Sequence, residues 1–206
     1  MRAYPWAWLV SSVNVKYVAK LWMVMEVFSF DIDGTLVNSY KRLIACTKND
    51  AVDWECFLDC NKLYMDEPIE SNISLMNRLI MSDAAVILVT GRPKRMRGCT
   101  LAQLRGFGAL VDDVLSLIMR DDDDHRPDPP YKVDALSSVR HLGDLIHCDD
   151  NVDTVNALIR NGFRAVTADA CGSLYASMRP HNKMNDKPRP SGAGRRPDLH
   201  LPSPNN

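Results

Sequence analysis

The sequence lacks any long apolar run, and no stretch approaches the eighteen or so residues that a membrane-spanning helix needs. It also lacks an excess of charge of either sign, since 25 Lys and Arg residues oppose 26 Asp and Glu residues and leave a net charge of -1. This balance excludes the broad basic surface with which proteins bind long nucleic acids through counterion release. The 46% of hydrophobic and 25% of charged residues are ordinary for a globular protein, and we predict a cytoplasmic enzyme.

Regular cysteine spacing is also absent. The chain has six cysteines and no C-x-x-C pair. We therefore predict reduced thiols rather than a disulfide framework or a zinc site. Cys56 and Cys60 lie one helical turn apart, but no second pair of ligands accompanies them, so the sequence favours a packing role for both. The histidines are scattered too, and His147, next to Cys148, is predicted to lie in a buried strand rather than to act as a ligand or a general base.

The length of 206 residues suits one domain with tails, because two full cores would be cramped. Residues 1–25 contain an early Arg and a short apolar patch, but no clear small-x-small cleavage site follows, so we favour an N-terminal extension over a secretory signal. Residues 172–206 are rich in Pro, Gly, Asn and Arg and are predicted to be disordered. The domain itself is predicted to span residues 26–171.

Within the domain, apolar runs of strand length alternate with segments of helical period, such as Ile73 to Ile80 and Val152 to Ile159. The runs are EVFSF, AAVILVT, VLSLIM, DLIHC and RAVTA. Nearly continuous apolar strands separated by helices indicate a buried parallel sheet flanked by helices. The predicted fold class is therefore α/β.

The strongest motif is FSFDIDGTLV, an apolar strand that ends in Asp31-Ile32-Asp33-Gly34-Thr35. Ligands of open α/β sheets bind beyond the carboxyl ends of the strands, so both aspartates are expected to project into a site. A D-x-D-G-T directly after a buried strand is specific, and a solvated turn is the disfavoured alternative. We predict Asp31 as the nucleophile and Asp33 as the general acid and base, with both also contacting a metal.

A second apolar strand ends in Thr90-Gly91-Arg92-Pro93. Thr90 can donate a hydrogen bond to a phosphoryl oxygen, Arg92 can neutralise it, and Gly91 is predicted to contact the substrate. Alone, this segment would be a turn before a helix. Together with the first motif it predicts a phosphate site.

A third cluster, MRDDDDHRPDPPYKVDAL, contains Lys132, which would offset the charge between a carboxylate and a phosphate dianion. Arg120 and Arg126 flank the acidic run and are predicted to bind substrate. Residues 121–124 are interpreted as a solvated loop rather than a metal cage, because four adjacent side chains cannot all point inward. An exposed helix lysine is the alternative reading of Lys132.

The fourth strand ends in Asp149-Asp150-Asn151. Carboxylates at the ends of two strands can jointly hold one hard cation that also contacts substrate phosphate, and Mg2+ is the natural choice. The predicted metal ligands are Asp31, Asp33, Asp149 and Asp150. Asp150 is predicted to bind directly, while Asp149 is left in either the inner or the second shell.

These four motifs, in this order, resemble the haloacid dehalogenase (HAD) superfamily. Residues 26–168 resemble more specifically the phosphatase domain of phage-type polynucleotide kinase-phosphatases and their stand-alone bacterial relatives. Arg42, eleven residues after Asp31, matches a substrate-binding arginine of that group, and Arg120 precedes Lys132 by twelve residues as in the family. The segment VDWECFLDC with the following DEPI is also similar. Asn151 departs from the family, which often has Arg there.

The resemblance implies a Rossmann-like HAD fold with a minimal cap, a phospho-aspartate intermediate and Mg2+. It further implies activity on 3'-phosphate ends of DNA or RNA, in nucleic-acid repair with a kinase or ligase partner. The sequence has no G-x-x-x-x-G-K-[ST] loop, so kinase activity is not expected. A nucleotidase or other small-molecule phosphatase is the first alternative, and a non-catalytic binding protein of the same fold is the second.

Overall fold

The strands of the protein follow the apolar runs of its sequence. The computed structural model describes residues 26–173, so the predicted N-terminal extension and nearly all of the predicted tail lie outside the described residues. The strands are β1 (Glu26–Phe30), β2 (Val37–Asn38), β3 (Thr47–Lys48), β4 (Ala51–Val52), β5 (Glu67–Pro68), β6 (Ala85–Pro93), β7 (Ser116–Arg120), β8 (Asp144–Asp149) and β9 (Arg164–Thr167).

Five of these strands form one parallel sheet in the order β7-β6-β1-β8-β9. All of β1 after its first residue is buried, as expected for a strand covered on both faces. From β1 the chain moves outward to β6 and β7, and it later returns to the other side of β1 with β8 and β9. This reversal makes the carboxyl ends of β1 and β8 a topological switch point, where ligands of α/β proteins bind.

Helices cover both faces of the sheet, as predicted for the HAD fold. They are α1 (Tyr40–Ala45), α2 (Trp54–Phe57), α3 (Glu70–Met81), α4 (Arg97–Gly106), α5 (Asp128–Ser138) and α6 (Val152–Arg160), with 3-10 helices at Cys60–Met65, Lys94–Met96 and Arg140–Leu142. Apolar side chains of α3 and α4, such as Met76 and Leu104, pack on one face. Leu136 of α5 and Leu158 of α6 pack on the other. The predicted parallel α/β architecture is thus confirmed.

Residues 37–68, which we call the insert, form a small subdomain after the first motif. Its ends are joined by the antiparallel pair β2 and β5, and β3 and β4 form a second two-residue pair. Between them lie only α1, α2 and one 3-10 helix. The insert is the minimal cap that the sequence predicted.

The prediction of reduced thiols is wrong. All six cysteines form disulfides, which join Cys46 to Cys56, Cys60 to Cys99 and Cys148 to Cys171. Their Cα atoms lie 5.5 to 6.0 Å apart, within the range that a disulfide spans. Spacing along the sequence did not reveal the pairs because folding brings together partners up to 39 residues apart. Disulfides persist mainly in oxidising compartments, which speaks against the predicted cytoplasmic location.

None of the helices within residues 26–173 has the length and the apolar character needed to cross a bilayer.

Candidate active site

Side chains from four strands meet at the carboxyl edge of the sheet. Asp31 directly follows β1, Thr90 lies within β6, Arg120 ends β7 and Asp149 ends β8. The edge is the same for all of them because the strands are parallel. The predicted residues therefore come together because each motif lies at the end of a strand.

The turn after β1 requires a glycine for two reasons. Gly34 has a φ of +81°, which side chains other than glycine rarely adopt. A Cβ atom on Gly34 would also lie only 2.0 Å from Oδ2 of Asp150. Gly34 thus lets the first motif and the end of β8 approach each other closely.

Lys132 links the first and fourth motifs. Its Nζ atom lies 2.7 Å from Oδ1 of Asp31 and 2.7 Å from Oδ2 of Asp149, and all three side chains are buried. Burial alone lowers the pKa of Lys132, but the two carboxylates outweigh burial and raise it, so the ammonium stays charged. Burial raises the pKa of Asp31 well above its usual range, while Lys132 acts in the opposite direction. Lys132 is thus a buried counter-ion of Asp31.

Three carboxylates near Lys132 have the arrangement of a cation site. Asp31, Asp149 and Asp150 each place an oxygen within 4.8 Å of the others. Burial, and then Asp149, raise the pKa of Asp150 to about 6. When all three acidic groups are ionised, the one ammonium leaves two negative charges without compensation, and carboxylate oxygens are the ligands that hard divalent cations prefer. The residues therefore fit a divalent metal ion.

The side chain of Asp33 belongs to a different cluster. Arg92 binds it with Nε at 2.7 Å and Nη2 at 2.8 Å, and Nη2 of Arg42 forms a further ion pair with it. Burial alone raises the pKa of Asp33, but Arg92 and then Arg42 outweigh burial and lower it. Both arginines, predicted to bind substrate, are fully buried and directed at Asp33.

Asp66, whose role the sequence did not reveal, is the second carboxylate of this cluster. It accepts a hydrogen bond from Nε of Arg42 at 2.9 Å, and its Oδ2 lies 3.6 Å from Nη2 of Arg92. Gln103 of α4 binds both Asp66, at 2.8 Å, and Arg92, at 2.8 Å. The only sequence signal was the position of Asp66 in the DEPI segment, which lies far from the other motifs along the chain.

The remaining predicted substrate contacts are divided between the site and the surface. Thr90 is buried, and its Oγ1 atom accepts a hydrogen bond from the backbone N–H of Arg92 at 3.1 Å. Arg120 donates to the carbonyl of Gly91 at 3.2 Å and pairs with Asp128, whose Oδ1 would lie 2.8 Å from a Cβ atom on Gly91. Asp128 is therefore a close neighbour of the second motif that sequence reasoning missed.

Arg126 is directed away from these groups and is half exposed. Its guanidinium binds Asp124 at 2.8 Å and Asp134 at 2.6 Å. Within the acidic loop, Asp121 pairs with Lys94. The loop predicted to be solvated is thus exposed, but several of its charges are already paired.

The model of the HAD superfamily, subfamily IIIB (acid phosphatase), matches residues 12–147, which is more than half of the chain. A search of curated proteins gave no match.

Solved structures share the fold at low identity. A chain of the Pnkp1/Rnl/Hen1 complex is 20% identical with a TM-score of 0.53, over 70% of this chain and 46% of that chain. The Class C acid phosphatase from Bacillus anthracis with tungstate bound is 14% identical with a TM-score of 0.51, over 84% and 79%. A putative beta-phosphoglucomutase from Thermotoga maritima is 12% identical with a TM-score of 0.54, over 75% and 100%. This chain spans less than half the length of the matched Pnkp1-complex chains.

Proposed function

The chain belongs to subfamily IIIB of the HAD superfamily, the acid phosphatases, and we propose that it hydrolyses phosphomonoesters through a phospho-aspartate on Asp31. The observation that carries this proposal is the position of Lys132 Nζ, 2.7 Å from both Asp31 and Asp149 at the carboxyl edge of the sheet. A buried ammonium there favours the ionised nucleophile and offsets the charge of an approaching phosphate dianion. Membership of a phosphatase family supports an enzyme over the non-catalytic binding protein.

In the first half-reaction, a carboxylate oxygen of Asp31 forms a bond to phosphorus while the bond from phosphorus to the ester oxygen breaks. Asp33 gives its proton to that oxygen, which leaves as an alcohol. In the second half-reaction, Asp33 takes a proton from a water molecule whose oxygen attacks phosphorus. Inorganic phosphate leaves, and Asp31 is restored as a carboxylate.

The acid role of Asp33 requires a change of its surroundings when substrate binds. In the described site, Arg42 and Arg92 lower the pKa of Asp33 and favour its anion, although burial alone would raise that pKa. A phosphate dianion beside Asp33 would oppose this effect, because like charges disfavour ionisation. The arginines therefore keep Asp33 ready as a base, and the charge of the substrate favours its protonation as an acid.

We propose Mg2+ as the cation, held by Asp31 and Asp150 with Asp149 beside them. When bound, such an ion neutralises charge on the transferring phosphoryl oxygens. Thr90 and Lys132 supply the protein's own polar groups on the same edge of the sheet.

For the substrate, we propose a 3'-phosphate end of DNA or RNA, in a repair setting that would include a kinase or ligase partner. The resemblance to polynucleotide phosphatase domains supports this substrate class, and so does the minimal cap, which leaves room for a polymer. Three aromatic rings on the insert add support because nucleobases stack on exposed rings. They are Tyr40, Trp54 and Tyr64, with 65%, 60% and 78% of their surface exposed.

Trp54 has the most direct connection to the reaction among these rings. It packs edge to face on Phe57, with 5.7 Å between ring centroids, and Phe57 lies under the guanidinium of Arg42 at 4.0 Å. Arg42 in turn binds Asp33. A nucleobase stacked on Trp54 would thus be connected through Phe57 and Arg42 to Asp33, the proposed general acid.

A nucleotidase remains the second candidate, and the acidic loop at 121–124 favours it, because exposed carboxylates repel a polyanion. The pairing of Asp121 with Lys94 and of Asp124 with Arg126 weakens this repulsion. The two candidates therefore differ in whether bases beyond the terminal nucleotide contribute to turnover.

The test measures phosphate release with Mg2+ from 3'-phosphorylated DNA and RNA oligonucleotides, 5'-phosphorylated controls, nucleoside monophosphates and an aryl phosphate. Asp31→Asn should abolish every activity, and turnover near that of the wild type would contradict the phospho-aspartate. Trp54→Ala should lower kcat/KM about tenfold for oligonucleotides only, given the contribution of one stacked base. Met81→Ala, which alters an exposed apolar side chain on α3, is the matched control. Turnover confined to small phosphates would establish the nucleotidase.

A further inference from the structure

Two polar side chains lie within the apolar sheet, next to the three carboxylates of Asp31, Asp149 and Asp150. Ser29 of β1 and His147 of β8 are register partners, and neither is exposed to solvent. Oγ of Ser29 lies 2.7 Å from Nδ1 of His147, and Nε2 of His147 lies 3.1 Å from Oδ2 of Asp149. Burying polar groups costs free energy unless they are hydrogen-bonded, so an apolar pair would serve packing at least as well. The pair therefore needs an explanation other than core stability.

The neighbours of the imidazole determine its tautomer. A carboxylate can only accept hydrogen bonds, so Nε2, which faces Asp149, carries the proton. Nδ1 then has a free lone pair and accepts from the hydroxyl of Ser29 at 2.7 Å, the shorter of the two contacts open to that hydroxyl, since the carbonyl oxygen of Ile146 lies 3.4 Å away. Hydrogen bonds therefore run in one direction, from Ser29 to His147 to Asp149.

Asp149 is consequently held by three donors. Its Oδ2 atom accepts from Nε2 of His147 and, at 2.7 Å, from Nζ of Lys132, while its Oδ1 atom accepts from the backbone N–H of Asn151 at 2.9 Å. Lys132 comes from α5 and Asn151 follows β8, whereas His147 lies within β8 itself. Without His147, the carboxylate would keep only Lys132 and the backbone of Asn151 as donors, and the oxygen that anchors Lys132 would be held less firmly.

We propose that Ser29 and His147 form a positioning pair that fixes the orientation of Asp149 and, through it, the placement of Lys132 against Asp31. This role rests on the proposed phosphatase function of the site. His147 touches neither substrate nor the reacting atoms, so it acts only through Asp149. Removal of a residue that hydrogen-bonds to a metal-binding carboxylate typically lowers metal affinity or activity by about 10- to 100-fold.

The first test determines the tautomer without using activity. Nitrogen chemical shifts of the His147 ring, assigned by comparison with His147→Gln, should show a protonated Nε2 and an unprotonated Nδ1. A proton on Nδ1 would reverse the direction of the hydrogen bonds and overturn the proposal. This result does not depend on which substrate the protein hydrolyses.

The second test separates positioning from stability. The double variant Ser29→Val/His147→Leu replaces both polar partners by apolar ones and should fold with a melting temperature close to that of the wild type. We expect about a tenfold or greater rise in the Mg2+ dissociation constant, measured by calorimetry, and a similar fall in kcat on an aryl phosphate with KM little changed. His147→Gln retains a donor at the position of Nε2 and should recover most of both quantities.

The outcomes distinguish this proposal from the proposed function. A double variant with the Mg2+ affinity and kcat of the wild type would overturn the positioning role. An inactive wild-type protein would overturn the proposed function, while the calorimetric comparison would still decide whether the pair positions Asp149. Loss of Mg2+ affinity in His147→Gln equal to that in the double variant would also count against the proposal, because the donor would then be irrelevant.

Discussion

The disulfide between Cys60 and Cys99 is the clearest structural feature to perturb, because it ties the insert to the body of the domain. It joins the 3-10 helix Cys60–Met65 to α4, and its partners are 39 residues apart. Loop-closure entropy for that separation predicts that replacing both cysteines by serine lowers the free energy of unfolding by about 4 kcal/mol. The same relation gives about 3 kcal/mol for the Cys46–Cys56 disulfide, whose partners are 10 residues apart.

The larger loss should shift the melting temperature by roughly 8 to 16 °C in a domain of this size. It should also affect catalysis, because Gln103 of the same helix binds Asp66 and the carbonyl of Leu63 in the insert. A more mobile insert would place Arg42 and Arg92 less accurately around Asp33. We therefore expect kcat/KM to fall more in the Cys60→Ser/Cys99→Ser variant than in the Cys46→Ser/Cys56→Ser control.

The assay is thermal unfolding followed by circular dichroism, combined with a count of free thiols in the unreduced, denatured protein. No free thiols are expected, since the structure pairs all six cysteines. Free thiols in the native protein, or a melting temperature unchanged by the double substitution, would refute the reasoning. Free thiols would also restore the argument for the cytoplasm, whereas their absence would support an oxidising compartment.

Three further predictions concern the charged groups of the site. Lys132→Met should lower kcat at least about 100-fold and lower the free energy of unfolding by about 3 to 5 kcal/mol, because it leaves buried carboxylates without their counter-ion. Steady-state kinetics and denaturant unfolding measure the two effects, and a near-normal kcat would contradict the role of Lys132. Asp66→Ala should raise KM and lower kcat for an aryl phosphate, since Arg42 loses a hydrogen-bond acceptor and Arg92 loses an ion-pair partner, and unchanged kinetics would show that this carboxylate is dispensable. Burial and Asp149 raise the pKa of Asp150 to about 6, so its contribution to metal-free stability is full below about pH 4 and is lost as pH rises toward 6. The Mg2+ affinity should move in the opposite direction and weaken below pH 6, whereas calorimetric affinities that stay level between pH 5 and 8 would contradict the shift.

The sheet could be predicted because its signals are local. The runs EVFSF and DLIHC became β1 (Glu26–Phe30) and β8 (Asp144–Asp149), which differ from the predicted strands by at most one residue. A strand buried on both faces must be apolar nearly throughout, and the chain must leave the apolar layer where the first carboxylate appears. The positions of Asp31 and Asp149 at the edge of the sheet follow from the same reasoning.

The partners of the charged residues could not be predicted in this way. Asp66 lies 24 residues from Arg42 along the chain, and its contact depends on how the insert folds back through the β2–β5 pair. The disulfides depend in the same manner on the packing of the insert against α4. Neither contact leaves a periodic signal, because both are made by single side chains between segments that are distant in sequence.

Charge balance explains why Asp31 and Asp33, two residues apart, belong to different clusters. Asp33 and Asp66 face two buried arginines, so that cluster is neutral by itself and has no need of a cation. Asp31 shares a single ammonium with two other carboxylates, and when all three are ionised about two negative charges remain to be balanced. The motif that contains both aspartates does not show this difference in charged partners, because the partners are Arg42, Arg92 and Lys132 on other elements. Removal of the metal ion by a chelator should therefore disturb the surroundings of Asp31 and leave the hydrogen bonds of Asp33 in place. This separation is what a distinct nucleophile and proton carrier require.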